Sequence, residues 1–308
     1  MLDVKDLTKI YKSVSGQIVA NDNITFSLDS GCIAGILGPN GAGKTTLIKQ
    51  IATLLIPDNG DVVYKGVSLV KNPSFIRGRI GFLKEDTANV YHYLTGEANL
   101  YYFGLLNNVP LEILKKRVEE LLRKMNLWEF RKDYVFNYSV GMKRKLAICT
   151  CLVNDPEIVI LDEPWAGLDV IASEEVGEAI CELASNGRKI IIITSHRMEY
   201  IERTVKEVFW IHKGKIVLSG TTHDLKKFAA QGKVLLFTVR AGNAGLGRLP
   251  HRELIFEKLS DSIYKVEVNI NHKELVYYVM NNYEVINIEE KEQDFEKIFK
   301  MLYRNNGE

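Results

Sequence analysis

Only four cysteines occur in 308 residues, Cys32, Cys149, Cys151 and Cys181, and no two stand at CxxC spacing. They lie in or beside apolar runs, so they are expected to be reduced packing residues of a cytosolic protein, not disulfides or metal ligands. An excess of one charge is also missing. Forty Lys and Arg against 39 Asp and Glu leave a formal net charge of +1, which supplies no general electrostatic attraction to nucleic acid. No apolar run approaches the ~20 residues needed to span a bilayer, and the opening "MLDVKDL" holds no apolar signal core, so the chain is expected to be soluble on its own. There is no internal repeat and no low-complexity tract.

A chain of this length exceeds the usual size of one compact domain and favours a large domain with a smaller companion. Residues 1–30 alternate, with Ile24, Phe26 and Leu28 in "NITFSLDSG", as half-buried strands do. "CIAGIL" is a continuous apolar run leading through "GPNGAGKTT" into a helical pattern with Leu47, Ile48, Ile51, Leu54 and Leu55 on one side, to be stopped by "IPDNG". Leu111, Leu114, Val118, Leu121, Leu122 and Met125 predict a second amphipathic helix over 111–127, its apolar stripe read as core. "IVIL" at 158–161 and "KIIII" at 189–193 read as buried parallel strands with a helix between them. "VFWIHKGKIVLSG" predicts a hairpin turning near Lys213 and Gly214. After about residue 229 the texture loosens through "AGNAGLGRLP". A small α+β domain is then expected from a strand "YKVEVNI", a helix near "KELVYYVMNN", a strand "EVINIEE", and a last helix carrying Phe295, Ile298, Phe299 and Leu302. The domains are thus expected at 1–228 and 229–308.

The chemistry begins at Gly38, Gly43, Lys44 and Thr45, which fit G-x-x-x-x-G-K-[ST] after a strand and before a helix. Glycines let successive N–H groups point at phosphate oxygens, Lys44 can neutralise terminal phosphates, and the Thr45 hydroxyl can bind Mg²⁺. Asp162 and Glu163 follow four apolar strand residues. The aspartate can there hold a Mg²⁺ shell, and the glutamate can polarise a water for in-line attack on a γ-phosphate. Ligands of open α/β sheets lie beyond the carboxyl ends of strands, so the Gly38 loop, Asp162, Glu163, Ser195 and His196 should converge on one site. "SVGMKRK" at 139–145 sets a small hydroxyl residue and a glycine before a cluster of cations, as at a helix start prepared for an anion.

Together and in this order, "GPNGAGKTT", "YSVGMKRKL", "IVILDEPWAGLD" and "IITSH" resemble the nucleotide-binding domain of an ATP-binding cassette (ABC) transporter. The resemblance covers residues 1 to about 228. It implies an α/β P-loop NTPase with a mixed-sheet core, an antiparallel β subdomain and a helical subdomain, followed by the small C-terminal α+β domain. It also implies that Tyr11 stacks on adenine, and that Gly38, Pro39, Asn40, Gly41, Ala42, Gly43, Lys44, Thr45 and Thr46 bind ATP. Asp162 and Thr45 would belong to the Mg²⁺ shell, Glu163 would be the catalytic base, and His196 would contact the γ-phosphate. The signature residues Ser139, Val140, Gly141 and Met142 would touch ATP held by a second subunit, and Asp169 would report across that dimer interface.

Two positions depart from the family pattern. Val140 stands where the signature usually has its first glycine, which is harmless if the backbone is helical there and costly if φ is positive. Glu85 in "IGFLKED" stands at the family's glutamine; it can still give an oxygen to Mg²⁺ but adds negative charge beside Asp162 and Glu163. Tyr91, His92, Tyr93, Tyr101, Tyr102 and Phe103 fall where the family receives a helix of its membrane subunit, with about half of them expected to pack instead. The tail "VINIEEKEQDFEKIFKMLYR" resembles exporter-branch ATPase subunits that serve drugs, lipids or polysaccharides. The expected function is therefore an ATP-hydrolysing motor, dimeric with ATP, peripheral on the inner face of the membrane through a separate permease, and without a nucleic-acid partner. Two other readings stay open: a soluble ABC-fold ATPase acting on cytosolic assemblies, and a nucleotide-sensing module of low turnover motivated by Val140 and Glu85.

Overall fold

The computed structural model describes residues 1–13, 16–85, 90–185, 187–195, 198–222, 224, 234–240, 255–260, 262–269 and 273–291. The chain divides into two compact units, Met1–Thr222 and His223–Glu308.

In the first unit the alternating start of the chain becomes two long antiparallel strands, β1 (Leu2–Ser13) and β2 (Gly16–Leu28). With β4 (Asn59–Tyr64) and β5 (Val67–Ser68) they form a sheet of order β2-β1-β4-β5. Its inward residues, among them Leu2, Val4, Ile24, Phe26, Leu28 and Val62, are buried. The second sheet contains β3 (Ile33–Leu37), β6 (Ile80–Leu83), β7 (Ile158–Asp162), β8 (Ile190–Ser195), β9 (Glu207–His212) and β10 (Lys215–Thr221), in the order β10-β9-β3-β8-β7-β6. Five of these strands run parallel and only β10 is antiparallel. Every residue of β3, β7 and β8 is buried, as continuous apolar runs in a parallel sheet require. The β9–β10 hairpin turns at Lys213 (φ 46°) and Gly214 (φ 80°), the paired positive φ values of a two-residue turn matched to strand twist.

Helix α1 (Lys44–Ile51) buries Leu47, Ile48 and Ile51 in a core shared with both sheets. It ends earlier than its apolar pattern suggests. Thr53 takes φ 57° and donates to Gln50 O at 3.0 Å, while Leu54 N–H reaches Lys49 O at 2.9 Å. This left-handed cap closes the helix before "IPDNG" and turns Leu54, 59% exposed, away from the core. Helices α2 (Gly96–Leu106), α3 (Leu111–Lys124) and α4 (Val140–Leu152) pack together as the helical part. In α3 the expected stripe of Leu114, Val118, Leu121 and Leu122 is buried, whereas Leu111 at the helix start is half exposed. Helices α5 (Val170–Ser185) and α6 (Met198–Thr204) complete the unit.

The second unit is an antiparallel sheet of β11 (Val234–Arg240), β12 (Ile255–Lys258), β13 (Ile263–Asn269) and β14 (Glu284–Lys291), in the order β12-β13-β11-β14, with α7 (Lys273–Asn282). Its core joins Phe237, Val239, Val266 and Val268 to Leu275 and Val279 of α7. The strands expected at "YKVEVNI" and "EVINIEE" and the helix at 273–282 are present. Strands β11 and β12 were not expected, and β11 is the one paired with both β13 and β14. "AGNAGLGRLP" and the last helix, expected with Phe295, Ile298, Phe299 and Leu302, lie outside the described residues.

Candidate active site

The loop between β3 and α1 turns on glycines where no side chain fits. Gly38 has φ 148° and a Cβ there would meet Ile211 O at 2.1 Å; Gly43 has φ 105° and would place a Cβ 2.1 Å from Ala20 O. Gly43 immediately precedes α1, so the free N–H groups of the helix start lie at the loop, where they attract an anion. The Lys44 ammonium donates to Gly38 O at 2.7 Å and Pro39 O at 3.2 Å. Burial pushes its pKa below the ordinary value, and Glu163, Asp162 and Glu85 oppose that shift.

A cleft of about 380 Å³ opens over this loop at the carboxyl ends of the parallel strands. Its lining includes Asn40, Gly41, Gly43, Lys44, Thr45 and Thr46 from the loop and helix, Glu85 after β6, Asp162 and Glu163 after β7, Ile18, Val19 and Ala20 from β2, and Lys213 from the β9–β10 turn. The sequence-distant Thr45 and Asp162 meet here, Thr45 Oγ1 donating to Asp162 Oδ2 at 3.4 Å. Thr194, on the neighbouring strand β8, donates its hydroxyl to Asp162 Oδ1 and accepts Glu163 N–H at 3.1 Å. Burial raises the Asp162 pKa above the ordinary carboxylate value and Glu85 adds to this, while Thr194, Thr45 and Lys44 pull it down. Glu163 is 5% exposed and sits at φ 49°, a left-handed conformation that costs a non-glycine residue about 1–3 kcal/mol. Its N–H also bonds Thr194 O at 3.1 Å, which helps hold that turn. A cation, a hydroxyl and three carboxylates facing a loop of backbone donors can bind a polyphosphate and act on a water at its end.

The family model for ABC transporters matches residues 21–166. Over 225 residues the chain is 33% identical to the ABC transporter ATP-binding protein NatA of Bacillus subtilis, covering 73% of this chain and 91% of that protein. Over 307 residues it is 33% identical to the bacitracin transport ATP-binding protein BcrA of Bacillus licheniformis, covering 98% of this chain and 97% of that one. The chain belongs to the ABC transporter ATP-binding family. Among solved structures, a dimeric post-hydrolysis ATP-binding cassette bound to ADP and Pi superposes with a TM-score of 0.65 at 24% identity, covering 72% of this chain and 99% of that one. The fold class is thereby that of an ABC ATPase, and the chain is an ATP-binding, ATP-hydrolysing subunit.

In this ABC ATPase the signature segment begins α4 as its sequence suggests. Ser139 is the N-cap, its Oγ accepting Met142 N–H at 3.1 Å. Val140 is the first helical residue and 58% exposed, so its Cβ carries no backbone penalty. A Cβ on Gly141 would come no nearer than 3.6 Å to another element, at Leu168. The cations after it do not form a free anion site. Lys143 donates to Phe136 O at 3.2 Å, Lys145 pairs with Glu175, and Arg144 is 1% exposed. The Arg144 guanidinium donates to the carbonyls of Lys84 (3.0 Å), Glu85 (2.7 Å), Asp162 (2.8 Å), Glu163 and Pro164 (3.2 Å). One side chain thus ties the Glu85 and Asp162–Glu163 segments to the signature helix. Sequence reasoning missed this role, because a buried arginine and a surface arginine look alike in a basic run. Thr194 was missed as well, although its place at the end of a buried strand was a usable signal.

Other expected site residues lie outside the cleft lining. Tyr11 is 41% exposed and is the cross-strand partner of Ile18, which does line the cleft. Asp169 Oδ1 accepts Ala172 N–H at 2.8 Å and so caps α5. His196 lies outside the described residues. Tyr91, Tyr102 and Phe103 form a cluster, with Tyr91 edge-on to Tyr102 at 4.9 Å and stacked on Phe103 at 5.8 Å. Of these five aromatics and one histidine, Tyr101 and Phe103 are half-buried on α2 while Tyr91, His92, Tyr93 and Tyr102 are exposed, so somewhat fewer pack into the helical part than the half expected. The buried Asn99 holds their loop instead, accepting Tyr91 N–H at 2.7 Å and donating to Tyr91 O at 3.0 Å.

Proposed function

We propose that this chain is the motor of an exporter: two copies enclose MgATP between them, hydrolyse it, and drive a separate membrane permease. The observation that carries the reading is the convergence of Lys44, Thr45, Asp162 and Glu163, from two distant parts of the sequence, on one cleft. The donor set suits Mg²⁺. Thr45 Oγ1 and Asp162 Oδ2 are hard oxygens already 3.4 Å apart, and Glu85 adds a third in the same cleft, the ligand type that Mg²⁺ takes together with phosphate oxygens. Bound there, Mg²⁺ would neutralise charge on the β- and γ-phosphates. In this reading the loop N–H groups and Lys44 hold the phosphates, Tyr11 and Ile18 flank the base, and Glu163 takes the proton of the attacking water. The water would attack phosphorus in line and ADP would leave with the bridging oxygen. His196 is proposed at the γ-phosphate on the motif alone.

Ser139 and Gly141 stand at the exposed start of a helix and outside their own cleft, as expected if they close the site of a second copy. The Ser139 oxygen accepts from its own helix, which leaves its proton to donate to a phosphate. Residues 1–228 are the ATPase domain in this account and 229–308 an accessory domain. Among the described residues no helix is long and apolar enough to cross a bilayer, so a permease would supply the membrane path and hold the chain at the inner face. BcrA is named for bacitracin transport, which makes bacitracin the cargo to try first. The helical backbone at Val140 removes one motive for the low-turnover sensing module. The soluble ATPase reading predicts no membrane partner.

The dimer is tested with Glu163→Gln, which should bind ATP without hydrolysing it. Light scattering with saturating MgATP should give twice the monomer mass, and the same sample without nucleotide the monomer mass. A persistent monomer with ATP bound contradicts the composite site.

A further inference from the structure

Behind the phosphate loop two amides are buried face to face. Asn21 of β2 is 0% exposed and Gln50 of α1 is 1% exposed. Gln50 Nε2 donates to Asn21 Oδ1 at 2.7 Å and to Thr46 O at 3.3 Å, while Asn21 Nδ2 donates to Gly43 O at 3.2 Å. Gln50 Oε1 is buried without a hydrogen-bond partner among the described residues. An amide pair that leaves a buried acceptor unsatisfied is a poor way to fill a core, since two apolar side chains of the same volume carry no such cost. Stability alone therefore does not account for the pair.

Its location does. The Gly43 carbonyl takes two donors, Leu47 N–H at 2.9 Å and Asn21 Nδ2. Because the peptide is planar and trans, fixing that carbonyl on the outer side fixes the Lys44 N–H on the opposite side of the same peptide unit. Asn21 also follows Ile18, Val19 and Ala20, the β2 residues that line the cleft. The β9–β10 turn closes around the same strand, with Gly214 N–H on Ala42 O at 3.0 Å and Asp22 N–H on Gly214 O at 2.9 Å.

We propose that Asn21 and Gln50 are positioning residues for nucleotide binding: their amide contact locks the Gly43–Lys44 peptide and holds the base-side strand β2 in register with the phosphate loop. The proposal rests on the cleft being the ATP site. Neither side chain touches the reacting atoms, so the effect falls on affinity and not on chemistry.

The test replaces the pair with apolar residues, Asn21→Leu with Gln50→Leu, in the full chain. Asn21→Val with Gln50→Met serves as a second packing, beside wild type and Lys44→Ala. Three quantities are read: the thermal unfolding midpoint without nucleotide, the Kd of a fluorescent ATP analogue with Mg²⁺, and kcat at saturating ATP. The expected result is an unchanged or higher midpoint, a Kd raised about tenfold, and kcat within about twofold of wild type, since loss of preorganised binding weakens ground and transition states alike. A Kd within about twofold of wild type in either folded double variant overturns the proposal, because it removes the lock without consequence. If neither double variant folds, the pair is a requirement of the fold and the positioning role is likewise overturned. Lys44→Ala separates the two layers. Loss of binding there with normal binding in the double variants sinks only the lock, whereas normal binding in Lys44→Ala sinks the assignment of the cleft itself.

Discussion

A fully buried guanidinium must place its N–H donors on protein acceptors, and Arg144 places them on five carbonyls that flank Glu85, Asp162 and Glu163. Burial lowers its pKa, and the nearby Cys151, Asp162, Glu85 and Glu163 oppose that. Lysine keeps the charge but cannot fork between two chain segments. Arg144→Lys is therefore expected to lower kcat about 10- to 100-fold with the ATP Kd nearly unchanged, because small misplacements of catalytic groups cost rate before binding. Equal losses in both would show a general collapse instead. Asp162 gives a pH signature. Burial raises its folded pKa above the ordinary 3.8, so its contribution to stability is complete below that value and is lost as pH rises through the folded pKa. The stability of Asp162→Asn relative to wild type should thus grow as pH rises above the ordinary carboxylate value of 3.8, as followed by urea unfolding without nucleotide. A pH-independent difference would contradict the shift. At this scale Lys44, Thr45, Asp162 and Glu163 were legible because motif spacing encodes them. Arg144, Thr194 and Asn21 were not, because only burial gives those common residues a function.

Elements were legible where one physical signal ruled. The all-apolar runs became β3, β7 and β8, and the hairpin turned at Lys213 and Gly214 as its residue types demand. Helix α1 was overextended because periodicity continues through Leu54, while Thr53, a residue with no strong preference for the left-handed region, ends the helix with two carbonyl caps. The consequence is measurable. Leu47→Ala in the core should cost about 2–5 kcal/mol, and Leu54→Ala, on an exposed turn, less than about 0.5 kcal/mol by denaturant unfolding. Similar costs at both positions would mean that Leu54 is buried after all. β11 escaped notice because "VLLFTVR" is a short apolar run with no flanking motif, and its central place depends on partners that lie far along the chain, from Ile263 opposite Arg240 to Lys291 opposite Val234.

On the scale of the molecule, the proposed site divides into parts held by one chain and a part offered to a second copy. The phosphate loop and the carboxylates share a cleft within one copy, whereas Ser139 and Gly141 present a helix start away from it. Arg144 joins the two, since the signature helix that would meet a partner's nucleotide also holds the backbone of its own Glu85 and Glu163. In a dimer built this way, Arg144 would be one of the links by which closure over one ATP is felt at the other. Two domains were expected from length, from the extent of the resemblance and from the looser texture after about residue 229, and the compact units divide a little earlier, between Thr222 and His223. The most direct measurement is Mg²⁺-dependent ATP turnover of the purified chain beside Glu163→Gln. The account predicts clear turnover in wild type and a fall of about 10²- to 10⁴-fold in the variant with ATP binding retained, the share expected of a general base. Equal turnover in the two proteins would contradict it.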